Sequence, residues 1–231
     1  MREQYLKSRV FRALTRIPPS AYLLTAQLLL LVLYAAFDGQ QIERALISVF
    51  GVGVLVLRVW VIQRSPASNW IAWGLAISTM VLLLISGFVQ NPTLLGWSAM
   101  LDAALYFYAA GSLIASIMND YEVTVDVLFT AGATFTLLAW GFAYLFLICQ
   151  VWVPDSFIKA VNPEAPLTFI ELLYLSFTNL SAVGLSDIIV VSPWARVVAM
   201  LEQFAGVGYV AVVVSRLVGL TLQRTGHDHT R

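Results

Sequence analysis

Apolar segments long enough to cross a lipid bilayer recur along the whole chain. Because an α-helix rises about 1.5 Å per residue, roughly 20 apolar residues cross a hydrocarbon core of about 30 Å. The chain has 231 residues and six apolar stretches of span-like length, at residues 21–37, 45–62, 69–89, 94–118, 125–153 and 193–222. We therefore predict an all-α membrane protein with six transmembrane helices.

Composition agrees with a chain built for lipid. Hydrophobic residues make up 60% and charged residues 11% of the sequence, against roughly 25% charged residues in soluble domains. The 13 basic and 13 acidic residues cancel, so no net field recruits nucleic acid. The single cysteine, Cys149, excludes an intrachain disulfide framework. His227 and His229 lie near the end of the chain, and we expect no metal site and no cofactor.

Basic residues predict how the chain is oriented. Residues 1–20 place five basic side chains beside apolar ones at helical spacing, which predicts a cytoplasmic amphipathic segment ended by Pro18 and Pro19. A cleaved signal peptide is the alternative, since a basic segment precedes an apolar one. With the N-terminus inside, ten basic residues are cytoplasmic and three are outside. The positive-inside rule then places both termini, including a tail at 224–231, in the cytoplasm.

Residues 21–124 hold the first four spans, which we expect to form a bundle in the position of a voltage sensor. A sensor needs several arginines at three-residue spacing in one span. The fourth span, residues 94–118, has none, and its interior charge is Asp102. Voltage sensing of that kind is therefore not expected.

Residues 125–223 are predicted to form a second unit, with an outer helix at 125–153 and an inner helix at 193–222. Between them, residues 154–166 are polar and contain prolines, which suits an outer turret. Residues 167–180 are apolar but too few to span. A half-length helix must return to the side it entered from, and the non-helical backbone after it is tolerated only where it is buried in protein or lines water. We predict a re-entrant pore helix at 167–180 followed by such a loop at 181–187.

The pattern of residues 176–187, Ser-Phe-Thr-Asn-Leu-Ser-Ala-Val-Gly-Leu-Ser-Asp, resembles the pore loop of the tetrameric potassium channels, T-x-x-T-x-G-Y-G-D or a close variant. Trp194, Arg196 and Gly206 fall where that family has an outer-mouth tryptophan, an arginine and a gating-hinge glycine. The resemblance covers residues 166–222. It implies a homotetramer in the lipid bilayer of a bacterial inner membrane, in which each chain assembles with three further copies. The four pore loops, one from each chain, would together conduct monovalent cations, with potassium as the main ion.

The resemblance also implies which residues form and support the selectivity filter. The filter residues would be Ala182, Val183, Gly184, Leu185 and Ser186. The residues supporting the filter would be Thr178, Asn179, Ser181, Asp187 and Trp194. Three filter positions depart from the family's T-V-G-Y-G: Ala182 lacks a hydroxyl ligand, Leu185 lacks a bracing hydroxyl, and Ser186 replaces a glycine. A serine forced to positive φ there would cost about 1 kcal/mol. We therefore expect weakened potassium selectivity, or a low or absent conductance.

The predicted inner helix contains two further candidate functional residues, Glu202 and Gly206. Glu202 is an intramembrane acid, which is a functional-site candidate because a carboxylate is costly in lipid. Two positions are open to it, facing the cavity or bracing the back of the pore helix near Thr178 or Asn179. Gly206 has two possible roles: it allows close packing between helices, or it is the gating hinge that the resemblance implies.

Three other functions compete with that of a cation channel. A non-conducting pore-fold scaffold or regulatory subunit is the main alternative, because the filter is altered. A monomeric potassium transporter would need four pore loops in one chain. An intramembrane serine enzyme needs a base within reach of the serine, and we expect none near Ser186, so the chain is not predicted to be an enzyme.

Overall fold

The computed structural model describes residues 18–37, 92–119 and 124–228. The predicted second and third spans, at 45–62 and 69–89, and nearly all of the basic segment at 1–20 lie outside the described residues. The elements in chain order are helices α1 (Pro19–Phe37), α2 (Pro92–Asn119) and α3 (Val125–Trp152), strand β1 (Phe157–Lys159), helix α4 (Phe169–Leu180), strand β2 (Ile188–Val190) and helix α5 (Pro193–Asp228).

Three helices in the described part of the chain are long and apolar enough to cross a membrane: Thr93–Asn119, Val125–Trp152 and Pro193–Arg216. These match the predicted fourth, fifth and sixth spans, so the protein is a mostly helical membrane protein. Helix α1 covers the predicted first span at 21–37, but with 19 residues it is shorter than these three helices. Helix α5 continues to Asp228, past the predicted end at residue 222, because no proline follows to stop it.

Helix α3 is the centre of the described fold, and Trp140 is the centre of its packing. The Trp140 ring stacks on Tyr106 of α2 at 5.9 Å between centroids and forms a T-shaped pair with Tyr34 of α1 at 5.7 Å. Phe169, the first residue of α4, lies 5.7 Å from the same ring. Aromatic pairs at such distances add about 0.5–1.5 kcal/mol beyond area burial. The outer helix thus joins two of the preceding helices to the pore helix.

Polar contacts fix the helices on either side of α3. Ser20 of α1 donates to the carboxylate of Asp126, and Thr136 donates to the side-chain carbonyl of Gln27. Between membrane helices such bonds contribute about 0.6–2 kcal/mol each. On the other side, Arg216 of α5 donates to the carbonyl of Met118 over 3.0 Å, at the C-terminal end of α2. A cation at a helix C-terminus is favourable there.

Two short strands correct the all-α prediction. Strands β1 and β2 pair antiparallel, with Phe157 opposite Val190 and Lys159 opposite Ile188. Further bonds extend the pair, from the Ala160 amide to the Asp187 carbonyl over 3.1 Å and from the Val191 amide to the Ser156 carbonyl over 2.9 Å. The β-branched run at 188–191 was the available sequence signal. The sheet ties the turret to the chain that leaves the pore loop.

Candidate functional site

Helix α4 begins with a capping box. The Glu171 amide donates to the Thr168 hydroxyl over 3.4 Å, and the Thr168 amide donates to the Glu171 carboxylate over 2.7 Å. This reciprocal pair satisfies two amides that the helix leaves open, and it starts the helix at Phe169 rather than at the predicted residue 167. Gln150 of α3 holds the preceding residue, accepting from the Leu167 amide at 2.9 Å and donating to its carbonyl at 3.0 Å.

A salt bridge joins this first turn to the turret. The Lys159 ammonium lies 3.0 Å and 3.1 Å from the two carboxylate oxygens of Glu171. Burial raises the pKa of Glu171, but hydrogen bonds from the Thr168 amide and from Lys159 outweigh burial, so this pKa lies below its ordinary value. The negative charge also suits a helix N-terminus. Strand β1 and the start of α4 are therefore held together electrostatically.

The C-terminus of α4 ends in a Schellman motif, which shapes the start of the loop. The Ala182 amide donates to the Asn179 carbonyl over 2.9 Å, and the Val183 amide donates to the Thr178 carbonyl over 3.1 Å. This is the pair of bonds that closes a helix with one left-handed residue. That residue is Ala182, with φ of 57°, and Gly184 follows at 66°.

This geometry corrects the prediction for Ser186. Among the described non-glycine residues, positive φ occurs at Asp155, Asn162 and Ala182, and Ser186 is not one of them. Backbone strain in the loop therefore lies at Ala182, because the residue after the helix C-cap must turn left-handed there. Ser186 instead accepts a hydrogen bond from the Ile188 amide over 3.0 Å.

Residues 182–184 of the loop donate their amides to carbonyls at the end of α4 and leave their own carbonyls without a partner in the described part of the chain. The Gly184 amide also donates to the Thr178 carbonyl, over 3.0 Å. Within the described residues, no hydrogen bond ends on the carbonyl of Ala182, Val183 or Gly184. The loop is exposed in the single chain, with Val183 59% exposed. Three successive carbonyl oxygens are thus available as ligands for a cation, the kind of ligand that channel filters use.

The outer half of the loop is anchored. The Tyr174 hydroxyl donates to the Leu185 carbonyl over 3.0 Å, and the Asp187 carbonyl accepts from Ala160, next to β1. A hydroxyl of α4 therefore contacts position 185, where the chain itself has leucine. Sequence reasoning missed Tyr174, because a contact between positions 174 and 185 depends on how the loop folds back along the helix.

The predicted supporting residues meet the loop in different ways. Thr178 contributes its carbonyl, since its hydroxyl donates within the helix to Leu175 over 2.8 Å. The Ser181 hydroxyl donates to the same Thr178 carbonyl over 3.2 Å. Asn179 is buried on the side of α4 that faces α5. Trp194 is 69% exposed in the first turn of α5, and its predicted role at the outer mouth stays a prediction.

Helix α5 contacts the end of α4 at Gly206. A Cβ atom added there would lie 2.0 Å from the Leu180 carbonyl oxygen, so a glycine is required for this approach. By contrast, a Cβ added at Gly208 would meet nothing within 4 Å. Close packing of Gly206 is therefore observed, and its role as a gating hinge stays a prediction.

Glu202 lies behind the pore helix, which is the second of the two positions considered. The side chain is 0% exposed and contacts the Ser176 hydroxyl, which itself lies 2.7 Å from the Ala139 carbonyl of α3. Asn179 lies beside the carboxyl group, yet its Nδ2 and the Oε2 of Glu202 do not meet hydrogen-bond geometry, and both are buried without a partner. Three helices thus meet at this cluster.

One of three comparisons with known proteins gives a match. Residues 132–223 match the model of a family described as an ion channel. The match runs from α3 through the pore helix and loop into α5, and it covers less than half of the chain. The chain matches no curated protein and no solved structure. In the described part of the chain, no three histidine, cysteine, aspartate or glutamate side chains group to hold a metal ion.

Proposed function

We propose that the chain is one subunit of a tetrameric cation channel of the potassium-channel superfamily, with weakened selectivity for potassium. The observation that carries this proposal is the loop after α4, where the carbonyls of Ala182, Val183 and Gly184 have no hydrogen-bond partner in the described part of the chain. The ion-channel match at residues 132–223 spans this loop. No catalytic step, cofactor or resident metal is part of the proposal.

The number of four copies is what the resemblance to the tetrameric potassium channels implies, and the single pore loop of each chain supports an assembly of several copies. A cation that leaves water needs several oxygen ligands around it, and one chain brings one loop to the axis. Helix α5 also exposes large apolar side chains in the single chain, among them Phe204 at 80% and Met200 at 59%. Lipid and neighbouring copies would cover such a face. Because the negative C-terminus of α4 leads into the loop, four such helix ends would favour a cation there.

Weakened selectivity rests on how many ligands each chain offers. Ala182 brings no hydroxyl oxygen, and the Leu185 carbonyl accepts from Tyr174. Each chain therefore lacks a hydroxyl ligand at position 182, and one of its predicted filter carbonyls, that of Leu185, is already hydrogen-bonded. Discrimination between potassium and sodium depends on the number and placement of such oxygens, so fewer of them reduce it.

A non-conducting pore-fold subunit is the second candidate. The tight turn at 182–184, in which three amides fold back onto the end of α4, favours this alternative because it draws the loop toward its own helix. The protein would then keep the pore architecture for assembly or regulation alone.

Cation flux into proteoliposomes tests the proposal against this alternative. We expect the purified protein to admit potassium and, more slowly, sodium. Gly184→Ala should reduce flux, because alanine is strained at a φ of 66°. Gly208→Ala is the matched control, since its added methyl group meets nothing within 4 Å in a helix. Flux equal to that of empty vesicles, from protein shown to be folded, would favour the non-conducting subunit.

A further inference from the structure

The environment of Glu202 does not suit a carboxylate ion. The side chain is fully buried on α5, against α4 and α3. An ionised carboxylate carries about four acceptor sites, and burying it without a cation or several donors is strongly unfavourable. Within the described residues, the polar side chains beside its carboxyl group are the neutral ones of Ser176 and Asn179, and its Oε2 accepts no hydrogen bond.

Counting hydrogens at Ser176 gives a second, independent observation. The hydroxyl oxygen lies 2.7 Å from the Ala139 carbonyl, and it also contacts the Oε1 of Glu202. A serine hydroxyl has one hydrogen to donate, and a backbone carbonyl can only accept. If the hydrogen goes to Ala139, the contact with Glu202 needs a hydrogen of its own. The carboxyl group is the group that can supply it.

We propose that Glu202 is a neutral carboxylic acid that donates to the Ser176 hydroxyl, which in turn donates to the Ala139 carbonyl. The resulting chain of hydrogen bonds runs from α5 through α4 to α3. All three groups then have a donor or an acceptor where the geometry requires one. The second carboxyl oxygen remains buried, which costs less for a neutral acid than for an ion.

These hydrogen bonds make Glu202 a positioning residue for the pore loop. Ser176 lies one turn before the Schellman motif that begins the loop, and Gly206, one turn further along α5, touches the Leu180 carbonyl. Helix α5 therefore holds the last turns of α4 at two successive levels. The side chain of Glu202 acts through Ser176 and does not touch the loop. Its effect on ion passage rests on the proposed channel function, whereas its protonation does not.

Infrared spectroscopy of the purified protein at neutral pH tests the protonation. We expect a carbonyl-stretching band of a protonated carboxylic acid in the wild-type protein and its loss in Glu202→Gln. Ser176→Ala should shift this band, because the acid loses its acceptor. The control is Glu164→Gln in the exposed turret, which should leave the band in place. A wild-type spectrum without the band would overturn the proposal.

The positioning role is tested by ion preference in the same preparations. Glu202→Leu should lose preference for potassium over sodium, and Glu202→Gln should restore it, because an amide can donate to Ser176 without a charge. If the glutamine variant behaves as the leucine variant does, a charged carboxylate is required and the proposal fails. If the wild-type protein carries no ions, the proposed channel function fails, while the infrared result still decides the protonation. Should Ser176→Ala not fold, the Glu202 variants decide both points.

Discussion

At the scale of single residues, a left-handed turn at Ala182 and a hydrogen bond from Tyr174 shape the loop. Ala182 stands at a left-handed position that helix ends usually give to glycine. Tyr174 holds the Leu185 carbonyl from the side of the pore helix. The resemblance to the potassium channels instead indicated Ser186 as the strained position and gave Leu185 no hydroxyl partner. Residue types along a chain do not report φ or the contacts of a folded loop, so neither feature was predictable from the sequence.

Ala182→Gly is expected to stabilise the protein. Glycine adopts φ of 57° freely, whereas alanine there costs about 1 kcal/mol, so the Tm should rise. Ser186→Gly is the matched comparison and should lower the Tm, because Ser186 is not at positive φ and its hydroxyl accepts from the Ile188 amide. Thermal unfolding in detergent measures both. A larger rise in Tm from Ser186→Gly would show that the strained residue is Ser186.

Tyr174→Phe should change ion preference with little loss of stability. The variant removes one hydrogen bond to the Leu185 carbonyl, worth about 0.5–1.5 kcal/mol, and frees that oxygen as a further ligand. Tyr209→Phe is the control, since its hydroxyl donates over 2.6 Å to Ala131, a residue of α3. The ratio of potassium to sodium flux should move in the first variant alone. Equal ratios in both would mean that the bond does not shape the pore.

At the scale of elements, the pore helix is held at both ends by different forces. Its N-terminus has a capping box, a salt bridge to β1 and two bonds to Gln150. Its C-terminus touches α5 at Gly206. The helix itself was predictable from a 14-residue apolar run at 167–180. Its partners were not, because β1, Gln150 and Gly206 are brought to it by tertiary packing.

Acid should weaken the N-terminal attachment of α4. Because the folded-state pKa of Glu171 is lowered, its contribution is present above the unfolded pKa and is lost as the pH falls through the folded value. Glu171→Gln should therefore lower the Tm at neutral pH, and its difference from wild type should shrink in acid. The salt bridge, being partly exposed, contributes about 1 kcal/mol at most. Glu164→Gln in the turret is the control. If the Tm difference between Glu171→Gln and the wild type stayed the same in acid, the lowered pKa of Glu171 would be contradicted.

Gly206→Ala should destabilise the contact between α5 and α4. The new methyl group would lie 2.0 Å from the Leu180 carbonyl oxygen, and overpacking of this kind costs about 1–3 kcal/mol. Gly208→Ala, two residues away, meets nothing within 4 Å and should be neutral or slightly stabilising. Thermal unfolding of the two variants is the measurement. Equal Tm values would show that α5 and α4 do not approach closely at Gly206.

At the scale of the whole molecule, the sequence predicted the helices better than it predicted their surroundings. The spans at 94–118, 125–153 and 193–222 match α2, α3 and α5 because span length and hydrophobicity are local properties. The pairing of β1 with β2 was missed, since it joins residues about 30 positions apart. The position of Glu202 was left open between two sites, and packing among three helices decided it.

The assembled protein is the level at which the proposed function is decided. One chain contributes one such loop, and the proposed pore consists of several copies of it. The number of copies is measurable on the purified complex by its mass. Ion preference is measurable once that complex is placed in a bilayer.

The most direct measurement is the reversal potential of single channels in a planar bilayer, with potassium on one side and sodium on the other. We predict cation currents whose reversal potential lies between zero and the value of a strictly potassium-selective pore. A reversal potential equal to the strictly selective value would contradict weakened selectivity. Absence of current from a folded tetramer would contradict the channel itself.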